Sequence, residues 1–151
     1  MEDFEKLKQM LMCDEGVAFT TYKCTSGKLT VGVGRNLDDT ELDFTEISLM
    51  LSNDIYKIYQ ILNSKFTWFC HLNEARQMAL VNMCFNIGFA GFCSFKNMLA
   101  ALEHGNWLQA GEEVLNSRYA TQVKDRARRI AHIIVEGEIP KDWYNEYQII
   151  R

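Results

Sequence analysis

The sequence predicts an α+β protein: a small β-hairpin lobe joined by one long helix to a larger helical lobe. Three observations carry this expectation. One proline and nine glycines in 151 residues leave few obligatory breaks, which favours helix. Residues 18–34 are rich in β-formers around a turn signal. Nearly everything else repeats its apolar residues with a helical period. At about 150 residues per domain the length corresponds to one domain. It spans residues 1–151, with an N-terminal lobe at 14–44, a linking helix at 44–64 and a helical lobe at 65–151 on which the first helix packs.

In order along the chain, Asp3 is placed to cap a first helix whose apolar stripe is Phe4, Leu7, Met10 and Leu11. Asp14-Glu15-Gly16 stops the stripe, and Gly16 suits a C-terminal cap. Phe19, Tyr22, Leu29, Val31 and Val33 then form two strands around the turn Thr25-Ser26-Gly27. In the second strand Leu29, Val31 and Val33 face one way, and Thr30, Gly32 and Gly34 the other. A face of one threonine and two glycines packs nothing and leaves room for something to approach the backbone. Asn36 to Leu42 reads as an acidic connector, after which Asp43 and Glu46 form a capping box. The helix it opens carries Ile47, Met50, Leu51, Ile55, Ile58, Ile61 and Leu62 and runs to Asn63 or Ser64, a span of roughly 30 Å.

Glu74 to Ile87 is apolar on nearly every side and marks a buried central helix with Leu80 and Met83 in the core; Gly88 ends it. Phe95–Glu103, Trp107–Leu115, Tyr119–Gln122, Asp125–Val135 and Lys141–Ile149 complete a bundle of short helices.

Composition excludes several classes. Apolar residues at 48% and charged residues at 24% are ordinary for a globular domain. The net charge of −4 gives no reason to expect nucleic acid or an anionic membrane as partner. No apolar run approaches the roughly 18 residues of a membrane span, and Met1-Glu2-Asp3-Phe4-Glu5-Lys6 does not read as a signal peptide. Five cysteines without regular spacing read as reduced thiols, mostly small buried hydrophobes, and no C-x-x-C pair or clustered histidine suggests a metal site. Residues 117–135 carry a local charge of +4, as expected equally of a solvated helix face or an anion-attracting one.

The chemistry-bearing residues cluster at the hairpin. Glu15 ends the first helix; eight residues separate it from Cys24 at the turn, and five more separate Cys24 from Thr30. Asp14-Glu15-Gly16, Tyr22-Lys23-Cys24 and Thr30-Val31-Gly32-Val33-Gly34 together resemble the signature of the phage-type lysozymes (endolysins) of the T4 lysozyme class, in which the second position is aspartate or cysteine. The likeness continues through Arg76–Gly88, Phe95–Leu99, Trp107 and Ser117–Arg129 in the same order, covering roughly Phe4 to Val135. A lysozyme-like fold is the expectation that follows.

The resemblance implies that Glu15 is the general acid for the leaving oxygen of a glycosidic bond, and that Cys24 and Thr30 handle water on the opposite face, as in an inverting glycosidase. Gly32 would leave room for the sugar. A free thiol titrates near about 8.5 and a neighbouring Glu15 carboxylate would raise it, so Cys24 is expected to be a neutral thiol that orients water or substrate. An inert turn cysteine is the plainer reading. Arg35 stands where the family often has histidine, and the resemblance implies an Arg35–Asp54 pair. The connector from Asn36 to Leu42 is shorter than in the longer members. Arg126 corresponds to an arginine placed beside the catalytic glutamate, and Asn86 and Gln122 are candidate saccharide contacts.

Other readings carry less. Lys124, Arg126, Arg128 and Arg129 suggest nucleic acid, but no recognition motif accompanies them. Gly32-Val33-Gly34 has Leu37 at the third glycine position of a dinucleotide loop, and no helix follows. A non-catalytic, peptidoglycan-binding protein of the same fold remains the alternative, against which Glu15 stands. The expectation is a monomeric muramidase without metal or cofactor, acting on bacterial peptidoglycan, inserting in no membrane. It would accumulate in the host-cell cytoplasm and reach the wall through a holin-like pore.

Overall fold

The computed structural model describes residues 3–141 and 149–150. The chain divides into two compact units, Met1–Met50 and Leu51–Arg151, with one long helix running through the boundary.

The first unit holds α1 (Phe4–Glu15), β1 (Ala18–Lys23), β2 (Leu29–Gly32), β3 (Arg35–Asn36) and the start of α2 (Phe44–Lys65). Asp3 does not cap α1 through its side chain; the carboxylate is drawn instead to Lys6, 2.9 Å away. Gly16 ends the helix as expected, at φ 75 with its amide donating to the Met12 carbonyl. The three strands form an antiparallel sheet in the order β1-β2-β3. The hairpin turns where the sequence predicts. The connector differs, because its first residues form a third strand, with Thr30 opposite Asn36 and Val31 opposite Arg35.

That third strand corrects the expectation of an open face. Thr30 lies on the central strand, with Tyr22 of β1 and Asn36 of β3 opposite it, and is only 3% exposed. Gly32 and Gly34 have φ 67 and 70, a left-handed backbone that breaks the strand alternation, so they do not continue Thr30's face. They turn the chain from β2 into β3.

The capping box of α2 forms as the sequence predicts: Asp43 N–H donates to Glu46 Oε2 and Glu46 N–H to Asp43 Oδ1, both at 2.9 Å.

The second unit contains the rest of α2, a 3₁₀ turn (Phe69–His71), α3 (Glu74–Cys93), α4 (Lys96–Glu103), α5 (Trp107–Leu115), α6 (Arg118–Val123) and α7 (Asp125–Glu136). Gly88 interrupts α3 with φ 75, and a further short helical stretch follows the kink. Leu80 and Met83 are fully buried, together with Leu62, Phe92, Leu102 and Ile130. Gly111 lets α5 and α7 approach closely, since a Cβ there would sit 2.6 Å from Val135 Cγ2. Arg76 ties α3 to the end of α7, donating to the Ile134 and Val135 carbonyls at 2.8 and 3.1 Å while lying over the Trp107 ring.

The cysteines depart from expectation: only Cys84 is buried, Cys13 and Cys70 are exposed, and Cys24 and Cys93 lie between. The helix expected at Lys141–Ile149 falls on residues 142–148, which lie outside the described residues.

Candidate active site

Glu15, the last residue of α1, projects at the junction with the sheet because Gly16 stops the helix directly behind it. Its carboxylate lies against the β2–β3 turn: a Cβ on Gly34 would sit 3.7 Å from Glu15 Oε2. Space beside Gly32 is open, with no atom within 4 Å of where its Cβ would be. An exposed carboxyl group thus lies against a turn built from left-handed glycines.

The β1–β2 turn holds the second signature residue. Cys24 N–H donates to the Lys28 carbonyl at 3.0 Å and Gly27 N–H to the Cys24 carbonyl at 2.8 Å. Gly27, at φ 81, supplies the reversal. Cys24 Sγ lies 3.0 Å from Ser26 Oγ. Thr30 donates its hydroxyl to the Lys28 carbonyl at 3.1 Å, and it also reaches the Cys24 sulfur.

The expectation of a neutral Cys24 thiol is corrected here. Hydrogen bonds from the Ser26 and Thr30 hydroxyls lower the thiol from 9.0 to about 7, outweighing the small opposing effect of desolvation. Glu15 is not among the groups that shift it. The turn therefore brings Cys24 down toward the neutral range. Lys28, on the other side of the turn, is raised from its usual range by Asp39, whose carboxylate lies 2.9 Å away.

Arg35 does not pair with Asp54. Its guanidinium forms a two-pronged ion pair with Glu46 and donates to the Glu41 carbonyl at 3.1 Å. Asp54 stands beside Lys57 instead, at 3.8 Å. The cause is the capping box: it fixes the Glu46 carboxylate at the N-terminus of α2, whereas Asp54 lies about 12 Å farther along the axis.

The remaining candidates belong to the second unit. Arg126, near the start of α7, donates to the Asn82 side chain at 2.9 Å and to the Asn82 carbonyl at 3.2 Å. It borders a groove of about 680 Å³ walled by Ile55, Tyr59, Met78, Val81 and Phe85. Met78 and Phe85, read from the sequence as part of a helix buried on nearly every side, are 47% and 45% exposed in that groove. Gln122 lines a different pocket of about 460 Å³, with Lys96, Asn97, Glu113 and Tyr119. The Tyr119 hydroxyl is buried there with no hydrogen-bond partner among the described residues, and burial raises its titration. Asn86 is exposed on α3.

Sequence reasoning missed Ser26 and Glu46. For Ser26 the signal was present, since a hydroxyl two residues after a cysteine in a glycine turn can fold back onto the sulfur. Glu46 was recognised only as a cap.

Residues 13–130 match the family described as Phage lysozyme. "Probable T4-type lysozyme 2" of Dictyostelium discoideum is 31% identical over 88% of this chain and 95% of its own length. "Probable T4-type lysozyme 1" of the same organism is 26% identical with the same coverage. The "Pre-baseplate central spike protein Gp5" of Enterobacteria phage T4 is 28% identical over 88% of this chain, which spans 28% of the spike protein.

Proposed function

Because the chain belongs to the phage lysozyme family, and so to a family of glycosidases, we propose that it is a muramidase with Glu15 as its general acid. The substrate is peptidoglycan and the bond is the β-1,4 linkage between N-acetylmuramic acid and N-acetylglucosamine. The observation that carries this reading is the Glu15 carboxyl against the Gly34 turn, exposed where a helix meets a sheet. A carboxylic acid in that position donates its proton to the departing glycosidic oxygen.

The second half of the reaction falls to the β1–β2 turn. Water attacks the anomeric carbon from the face opposite the leaving group, oriented by Cys24 and Thr30. Single displacement of this kind inverts the configuration. The thiolate available to Cys24 at neutral pH supports a role as proton acceptor for that water. Gly32 leaves the backbone open to a sugar ring.

The test is digestion of purified peptidoglycan by the intact chain, followed by mass spectrometry and proton NMR of the fragments. The reading expects reducing N-acetylmuramic acid ends formed first as the α-anomer. Only 1,6-anhydro ends would contradict hydrolysis, and undigested glycan would favour the non-catalytic alternative. Clearing of outer-membrane-permeabilised cells checks the lytic role separately.

A further inference from the structure

We propose that Ser26 is a positioning residue for the reaction: its hydroxyl donates to the Cys24 sulfur and holds that residue in the form that takes a proton from the attacking water. The proposal rests on the muramidase reading and adds to it a residue outside the glutamate–cysteine–threonine signature.

The turn builds this contact. Two backbone hydrogen bonds, Cys24 N–H to the Lys28 carbonyl and Gly27 N–H to the Cys24 carbonyl, fix the loop at both ends. The left-handed Gly27 reverses the chain just after position 26, and Ser26 Oγ comes to 3.0 Å from Cys24 Sγ. Thr30 also reaches the sulfur, but its single hydroxyl proton is directed to the Lys28 carbonyl at 3.1 Å. To donate to sulfur, Thr30 must release that carbonyl. Ser26 Oγ is the hydroxyl held beside the sulfur, at 3.0 Å.

The charged groups around the turn leave this role to the hydroxyl. Lys28 is the cation that senses Cys24, and it is already paired with Asp39 at 2.9 Å. Asp38 also acts on Lys28, and its carboxylate accepts the Leu29 amide at 2.9 Å. Ser26 is the largest contributor among the groups that favour the thiolate.

The step balances. The water oxygen forms its bond to the anomeric carbon while one water proton passes to the Cys24 thiolate, leaving a thiol. The glycosidic C–O bond breaks, and its oxygen takes the Glu15 proton, leaving a carboxylate. Solvent then removes the thiol proton and returns one to Glu15, with one water consumed.

The experiment compares wild type, Ser26→Ala and Ser26→Thr as intact chains. It reads the pH dependence of Cys24 alkylation by iodoacetamide, followed on its own peptide by mass spectrometry, and the pH profile of peptidoglycan turnover. Wild type is expected to show an alkylation midpoint near 7, and Ser26→Ala a midpoint moved toward 9.0. The pH profile of turnover should move with it, and Ser26→Thr should restore both. A loss of turnover through misfolding alone would not move the alkylation midpoint of the molecules that remain folded. An unchanged midpoint in Ser26→Ala overturns the proposal. So does a shifted midpoint with an unchanged turnover profile. If alkylation behaves as expected but wild type cleaves no glycan, the muramidase reading fails and the catalytic role of Ser26 fails with it, while the Ser26–Cys24 contact stands.

Discussion

Arg35 on β3 holds Glu46 through two guanidinium nitrogens, and Glu46 is also the residue that closes the capping box of α2. One carboxylate therefore joins the sheet to the helix start. Both side chains are about one-third exposed, at 35% and 34%, so solvent screens the pair and its worth is about 1 kcal/mol. Arg35→Lys keeps the charge but loses the fork. It should lower the urea midpoint nearly as much as Arg35→Ala. A double-mutant cycle should give coupling of about 1 kcal/mol with Glu46 and none with Asp54. Coupling to Asp54 instead would contradict the pairing described here.

Leu80 is fully buried in the centre of α3. Leu80→Ala should cost about 2–5 kcal/mol, because it removes apolar contact and leaves a cavity. Chemical denaturation with an unchanged slope and a lowered midpoint is the expected readout.

Gly34 combines φ 70 with its approach to Glu15 Oε2. Gly34→Ala places a side chain in a left-handed backbone, at about 1–2 kcal/mol, and sets a methyl group against the carboxylate. The melting temperature should fall modestly and peptidoglycan turnover more steeply. Equal, small effects on both would separate this turn from catalysis.

Cys24 gives the fold a pH dependence with a defined sign. Its folded-state titration is lowered from 9.0 to about 7, so the thiolate stabilises the fold fully above pH 9.0, and that contribution is lost as pH falls through about 7. Stability measured relative to Cys24→Ser should therefore rise between pH 7 and 9. Cys24→Asp should keep substantial lysis, since aspartate is the family's other residue at this position. Its turnover profile should shift to lower pH than that of wild type, because a carboxylate remains charged down to about pH 4.

Much of the scaffold was legible because it follows from local rules. The Asp43–Glu46 box, the Gly16 stop, the Gly88 break and the bounds of α5 each depend on residues near one another in sequence. The strand Arg35–Asn36 was not legible, since two residues carry no periodicity and their pairing to Val31 and Thr30 is set by two left-handed glycines. Missing that strand made Thr30 look open when it is buried. Arg35 pairs elsewhere than the family resemblance implies: the resemblance points to Asp54, whereas the closed box fixes Glu46 within reach of the Arg35 guanidinium. At the site, residue identities pointed to Glu15, Cys24 and Thr30, whereas the protonation of Cys24 depends on a hydroxyl brought back by the turn.

If Glu15 supplies the proton for glycosidic cleavage, Glu15→Gln removes it. Glutamine keeps the size and the carbonyl but has no carboxyl proton to give. Initial lysis rates on permeabilised cells and thermal melts should be measured on the same preparations. A fall in rate of about 10²–10⁴ or more with a nearly unchanged melting temperature is the result expected. Lysis at near wild-type rate by the folded glutamine variant would contradict the mechanism.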